Sequence, residues 1–372
     1  MKSRKWLALV AVGVVALAIS ACGSSKKKSS STNASGGSGA GKVNATLNGA
    51  GSTFAAPIYQ QWGSEGALKD QGISLNYQSV GSGAGVAQFT SGTVDFGASD
   101  PPMKDDEVTA AKKKGDPVHF PIAFGAITVS YNLSGVKSGL KLDGKTIADI
   151  YLGKVKKWND PEIASQNAGM SLPSSNITVV HRSDGSGTTA GFTDFLQRYS
   201  PQWKSKVGSD KEIKWPTGTG AKGNEGVAAA VKQTSGSIGY VEQAYALQNN
   251  FTFADVKNKS GKYTAPTLAS TSAAGDGVTV PADLRFTVID SPNPTAYPIA
   301  SQTFMVVYKD LCKAGLSAGK AKGMAALLNY AYGAGQSIVK QLSYAPLPSS
   351  ISDKAKAQIS TLQCNGSPVS SS

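Results

Sequence analysis

Three times along this chain, a short strand-like run gives way to a glycine-rich turn and then to apolar positions at helical spacing. Val43–Asn48 reads as a strand, Gly49–Phe54 as the turn, and Ile58, Tyr59 and Trp62 as the buried face of a helix. Leu75–Val80, Gly81–Gly85 and a helix starting within Val86–Phe89 repeat that order. In the third instance Ile177–Val180 is a β-branched strand, and Gly185 and Gly187 permit a tight turn with little side-chain bulk. From Thr188 onward Phe192, Phe195 and Leu196 fall on one helical face. Val94–Asp100 predicts a further strand ending on an acid. The longer apolar runs Phe120–Tyr131 and Ile299–Tyr308 predict two long strands, and Ala325–Ala334 a helix.

A strand, a small-residue turn and a helix start together form an anion site. The first helical N–H groups have no partner inside the helix, and the helix dipole adds positive potential there. Around the first two turns the sequence places Thr53, Phe54 and Ser82 as N–H or hydroxyl donors, and the third turn leads into a helix start from Thr188. Arg182 stands at the end of the third strand and offers a charged two-pronged donor. Asp184, two residues on, is placed to hold Arg182, and Asp100 stands at its strand end like a ligand-side residue, a place that a turn or cap residue also fills. Any one of these devices is equally satisfied by an ordinary capped helix or turn residue. Three of them in one chain are harder to dismiss.

The chain has 372 residues, 40% of them hydrophobic and 16% charged, which suits a globular protein of about two domains. Its formal net charge is +13, but the lysine clusters Lys112–Lys114 and Lys154–Lys157 lack interleaved aromatics, so a solvated basic surface is favoured over nucleic-acid binding. The N-terminus has a basic start (Lys2, Arg4, Lys5), an apolar run Trp6–Ile19 of signal-peptide length, and then Ile19-Ser20-Ala21-Cys22. That tetrapeptide resembles the lipobox of bacterial lipoproteins, in which cleavage leaves Cys22 at the new N-terminus carrying lipid, palmitate included. Leu is the usual residue where Ile19 stands. An ordinary secretory signal with an incidental cysteine is the competing reading. Gly23–Lys42 is Ser-, Gly- and Lys-rich and reads as a leash with a coil reach of roughly 25 Å. Cys312 and Cys364 are the other two cysteines. On the outer side of a membrane they can form one disulfide, which their spacing neither requires nor excludes. With two histidines, His119 and His181, and no metal-ligand spacing, the sequence implies no metal and no cofactor.

Gly49–Pro57, Gly81–Gly85, Asp95–Asp100 and Arg182–Thr188 together resemble the phosphate-contacting segments of the bacterial phosphate-binding protein family, the receptors of phosphate ABC transporters. The likeness continues through Leu142–Gly153, Ile213–Pro216, Gly218–Gly226 and Gly236–Glu242. It is strong over 43–248, weaker over 297–348, and slight over 251–294. It implies an α/β, two-lobed periplasmic-binding-protein-like (type II) fold with a two-strand hinge. The implied division is residues 1–21 signal peptide, 22–42 linker, 43–124 first lobe, 125–298 second lobe and 299–372 return to the first lobe. It further implies that Thr53, Phe54, Ser82, Arg182, Ser186, Gly187 and Thr188 donate to phosphate, that Asp100 accepts from it, and that Asp184 orients Arg182. The expected partners are inorganic phosphate, the transmembrane permease subunits and the membrane through lipidated Cys22. The protein would be a monomer on the outer face of the cytoplasmic membrane and not an enzyme.

Rival readings remain a receptor for another oxyanion, against which Asp100 argues, and a secreted phosphate-ester hydrolase. The hydrolase would need metal ligands or a histidine-rich pocket, and the conceivable triad His181, Asp184 and Ser186 has nothing to mark Ser186 as an activated nucleophile. Gly218–Gly223 matches a dinucleotide fingerprint literally but follows Trp215-Pro216, so it reads as a loop. Gly139–Thr146 matches a nucleotide P-loop literally but lacks a preceding buried strand. It reads as a turn and helix start with Asp143 near the cap.

Overall fold

The computed structural model describes residues 43–369. The signal peptide, the linker and Cys22 lie outside the described residues. The first strands are β1 (Ala45–Gly51), β2 (Ile73–Ser79) and β3 (Phe96–Ser99), with helix α1 (Ala56–Ser64) after β1 and α2 (Ser82–Ser91) after β2. Both flanking strands run parallel to β1. The long strand β4 (Pro117–Asn132) leads to β5 (Thr178–Arg182), helix α3 (Gly187–Tyr199), β6 (Thr219–Ala221), helix α4 (Gly223–Gln233) and β7 (Ser237–Glu242). Short strand β8 (Thr252–Phe253) pairs with β4, and β9 (Ala300–Tyr308) returns the chain to the first half. The sheet order is β2-β1-β3-β9-β4-β7-β5-β6.

The architecture follows from the pairing of β4. Its first part, Pro117–Ala126, pairs antiparallel with β9, and its second part, Ile127–Asn132, pairs antiparallel with β7. One strand therefore belongs to both halves, and β9 runs beside it with a bulge between Thr303 and Phe304. Two parallel α/β halves are thus joined through two long strands, as the fold class expects. Nearly every residue of β4 and all of β9 are buried. A strand covered on both faces favours apolar residues at successive positions, which is why both appear in the sequence as largely apolar runs, interrupted in β9 by Ser301, Gln302 and Thr303. The halves close on one another as a single compact unit.

Several elements depart from the sequence expectations. Helix α2 starts at Ser82, not near Val86, because only Gly81 takes a left-handed φ (+92°). Gly85 is helical, and a side chain on it would come within 2.3 Å of the Gly51 Cα, so its role is close helix-to-strand approach. Strand β1 runs on to Gly51, into the expected turn, while helix α1 starts after Phe54 as expected, with Ala55 at its N-cap. Residues 219–221 form strand β6, not a loop, because they pair in parallel with Val180–Arg182 at the sheet edge. Helix α5 (Ala318–Ala331) ends before Ala334, and a separate helix, Gly335–Gln341, follows. Asp143 does cap a helix, accepting from the Thr146 N–H at 2.8 Å.

Cys312 and Cys364 are bonded, with Cα atoms 4.6 Å apart and a sequence separation of 52. Closing a loop of that length restricts the unfolded chain by about 4 kcal/mol in the entropic account. Replacing both with serine is therefore expected to lower the unfolding free energy by about 2–4 kcal/mol without changing anion affinity, since the bridge lies beyond the Tyr308 end of β9. Denaturant unfolding and a binding titration of the same variant check this. Equal stability of variant and parent would refute it. Among the described residues, no helix is long and apolar enough to cross a membrane.

Candidate functional site

The three small-residue turns meet between the halves. Gly83 N–H donates to Gly185 O at 2.9 Å, joining the start of α2 to the turn before α3. A side chain on Gly81 would reach 2.6 Å from Asp184 Oδ2 and from Gly185 O, and one on Gly187 would reach 2.2 Å from Asp100 Oδ2. Glycine at these positions is what lets the turns approach.

Thr53, Phe54, Ser82, Asp100, Arg182, Ser186, Gly187 and Thr188 are all buried. Among the described residues, no acceptor serves the backbone N–H groups of Thr53, Phe54, Gly187 or Thr188. Buried donors of this kind need a partner. Ser186 differs from expectation. Its backbone N–H is spent on Lys211 O at 2.9 Å, and its Oγ accepts from the Thr189 N–H at 3.0 Å as the cap of α3. Only its hydroxyl hydrogen remains to be donated.

Arg182 ends β5 with its side chain 1% exposed. Its Nε and Nη2 donate to the two carboxylate oxygens of Asp184 at 2.7 and 2.6 Å, and its Nη1 lies 3.5 Å from Thr188 Oγ1. Burial pushes the Asp184 carboxyl up, but the hydrogen bonds and charge of Arg182 outweigh that and hold it below the usual range. Beneath Arg182, the Tyr240 hydroxyl accepts its backbone N–H at 3.1 Å, and the Tyr240 ring stacks on Phe192 at 4.3 Å.

Asp100 directly follows β3 and is 1% exposed. Its Oδ1 accepts the hydroxyls of Ser52 at 2.5 Å and Thr303 at 2.8 Å, and its Oδ2 accepts from Ser82 at 3.4 Å. Gln302 Nε2 donates to its backbone carbonyl at 2.8 Å. Burial pushes the Asp100 carboxyl up to about 6, against the lowering effect of the Ser52 and Thr303 hydroxyls and of Arg182. An acid raised in this way binds more protons folded than unfolded. Its stabilising contribution is present at low pH and is lost as pH rises through about 6. In phosphate-free buffer the parent is expected to lose about 2 kcal/mol through this group between pH 4.5 and 7.5. Glu242, held well above the usual range by burial, acts in the same direction, so the comparison is with Asp100→Asn. Chemical unfolding at both pH values isolates the difference, and identical pH slopes for parent and variant would refute it.

Sequence reasoning missed four supporting residues: Ser52, Thr303, Gln302 and Asn224. The Asn224 Nδ2 donates to Thr53 Oγ1 at 2.8 Å and to Thr188 Oγ1 at 3.1 Å. It lies in the Gly218–Gly226 segment, whose small polar residues at a helix start were the available signal. The triad His181, Asp184 and Ser186 is not assembled, since His181 stacks on Trp215 at 4.6 Å and Ser186 Oγ serves as a helix cap. Among the described residues, no group of three His, Cys, Asp or Glu side chains is placed to hold a metal ion. Backbone and hydroxyl donors, one guanidinium and one buried acid of raised pKa suit a small tetrahedral oxyanion that still carries a proton.

Two α/β halves joined by two long strands, with oxyanion donors between them, define a solute-binding protein, and the PBP superfamily domain matches residues 32–334. The phosphate-binding protein PstS of Pasteurella multocida is 42% identical over 319 residues, covering 85% of this chain and 90% of the relative. That of Haemophilus influenzae is 40% identical, covering 85% and 93%. The fold matches a solved phosphate-binding protein from Stenotrophomonas maltophilia with a TM-score of 0.67 and 20% identity, over 84% of this chain and 93% of that one. The chain belongs to the PstS family of phosphate-binding proteins.

Proposed function

We propose that this protein binds inorganic phosphate between its two halves and delivers it to an ABC permease for import. The observation that carries the reading is the pairing of the buried acid Asp100 with donors from three turns and Arg182. Phosphate near neutral pH is both a multiple acceptor and a proton donor, and this set supplies both complements. Thr53, Phe54, Ser82, Arg182, Ser186, Gly187 and Thr188 donate, Asp100 accepts the P–O–H, and Asp184 orients Arg182. The lobes are residues 43–124 with 299–372, and 125–298, with hinge closure about β4 and β9. Two ion pairs at the cleft rim, Lys104–Asp210 at 2.5 Å and Lys211–Glu107, join elements of the two lobes and fit a closed form. The chain is a monomeric receptor rather than an enzyme. It is anchored through lipidated Cys22 on the outer face of the cytoplasmic membrane, with residues 22–42 as the leash.

Titration calorimetry of the phosphate-stripped protein with phosphate and then sulfate tests the ligand. Tight one-to-one phosphate binding with no sulfate response is expected. Equal binding of the two anions would overturn the assignment of phosphate as the specific ligand.

A further inference from the structure

We infer that Asn224 is a positioning residue that sets the direction of two ligand-facing hydroxyls, one from each lobe. The inference rests on the phosphate-receptor reading of the same site. Asn224 is fully buried at the start of α4, and its Oδ1 is fixed by the Glu242 N–H at 2.9 Å. That bond settles which end of the carboxamide is the donor. The Nδ2 hydrogens then point at Thr53 Oγ1 (2.8 Å) in the first lobe and Thr188 Oγ1 (3.1 Å) in the second.

A hydroxyl has one hydrogen and two acceptor sites. Thr53 Oγ1 accepts twice from Asn224, from Nδ2 and from the backbone N–H at 3.2 Å. Thr188 Oγ1 accepts from Asn224 Nδ2 and from Arg182 Nη1. With both acceptor sites filled, neither hydroxyl can turn its hydrogen toward Asn224. Both hydroxyls are buried, at 2% and 1% residue exposure, and neither donates to an acceptor among the described residues. Asn224 therefore commits two O–H donors to the anion and removes the rotational freedom they would otherwise lose on binding. Because the bond to Thr53 spans the cleft, it forms only as the lobes meet, which ties this orientation to closure.

Asn224→Ala is expected to weaken phosphate binding about 30-fold in calorimetric titration with inorganic phosphate. If the effect runs through the hydroxyls, it must fade where they are absent. Adding Asn224→Ala to Thr53→Val/Thr188→Val should cost less than about threefold further. Full additivity of the two losses would overturn the inference. Asn224→Asp keeps the acceptor for Glu242 N–H and the side-chain shape, but puts an acceptor where the donor stood. It should fold like the parent and bind about 100-fold more weakly. Binding within threefold of the parent would likewise overturn the role. A parent protein that bound no phosphate would instead remove the receptor reading itself, and this role with it.

Discussion

Arg182→Ala is expected to reduce phosphate affinity by about three orders of magnitude, the largest single loss at the site. The Arg182 side chain is 1% exposed and makes a two-pronged bond to Asp184, whose side chain is 13% exposed, so the pair is largely taken out of water. Breaking a buried pair by removing one partner costs roughly 3–5 kcal/mol, because the other charge stays buried and uncompensated. Here the uncompensated group is the Asp184 carboxylate, which would then face an incoming anion of the same sign. The anion loses its cation and gains a repelling neighbour in one substitution.

Two companion variants separate these contributions. Arg182→Lys restores the charge but cannot form the planar fork, so it should recover part of the affinity and stay about 10- to 100-fold below the parent. Arg182→Ala/Asp184→Ala removes the stranded carboxylate and should bind better than Arg182→Ala alone, by about tenfold. Calorimetric titration gives the affinities, and thermal melting of the ligand-free proteins checks that each variant is folded. A folded Arg182→Ala that bound phosphate within tenfold of the parent would mean that the neutral N–H and hydroxyl donors carry the site without the guanidinium.

The candidate donors could be named from the sequence because each sits in a local device that a single chain segment specifies. Arg182, Asp184, Ser186, Gly187 and Thr188 lie within seven residues, and their order of strand end, turn and helix start can be read without knowing the fold. The supporting residues were not legible because their roles are created by tertiary approach. Thr303 reaches Asp100 across 203 residues, and Asn224 reaches Thr53 across 171. Neither distance leaves a trace in local periodicity. The misplaced start of α2 has a related cause: three glycines looked like one flexible turn, while Gly83 and Gly85 are helical residues kept small by neighbours from elsewhere in the chain. Long strands β4 and β9 were legible for the opposite reason, since burial on both faces imposes a largely apolar run.

Asp100→Asn is expected to collapse the preference for phosphate over sulfate from about a thousandfold or more to within about tenfold. The geometry assigns different work to the two carboxylate oxygens. Oδ1 is occupied by the Ser52 and Thr303 hydroxyls, while Oδ2 has only the longer Ser82 contact and lies next to Gly187. An asparagine keeps its carbonyl oxygen where two hydroxyls donate and must put its amide where Oδ2 stood. A donor then replaces the acceptor facing the anion. Phosphate loses the partner for its P–O–H and should bind about 10- to 100-fold more weakly, whereas sulfate, with no proton to place, gains a hydrogen bond. The parent should show a weaker form of the same change with pH. Its Asp100 carboxyl is raised to about 6 by burial, so at lower pH the protonated acid offers a hydrogen to sulfate. Sulfate binding then takes up a proton, so its affinity should rise by about tenfold per pH unit as pH falls toward 6 and level off below it. In Asp100→Asn that pH dependence should vanish. Competition titrations of both proteins between pH 5 and 8 read the two effects together. If the variant kept the full preference for phosphate, discrimination would have to come from the donor geometry alone, and the buried acid would be a structural anchor for Ser52 and Thr303.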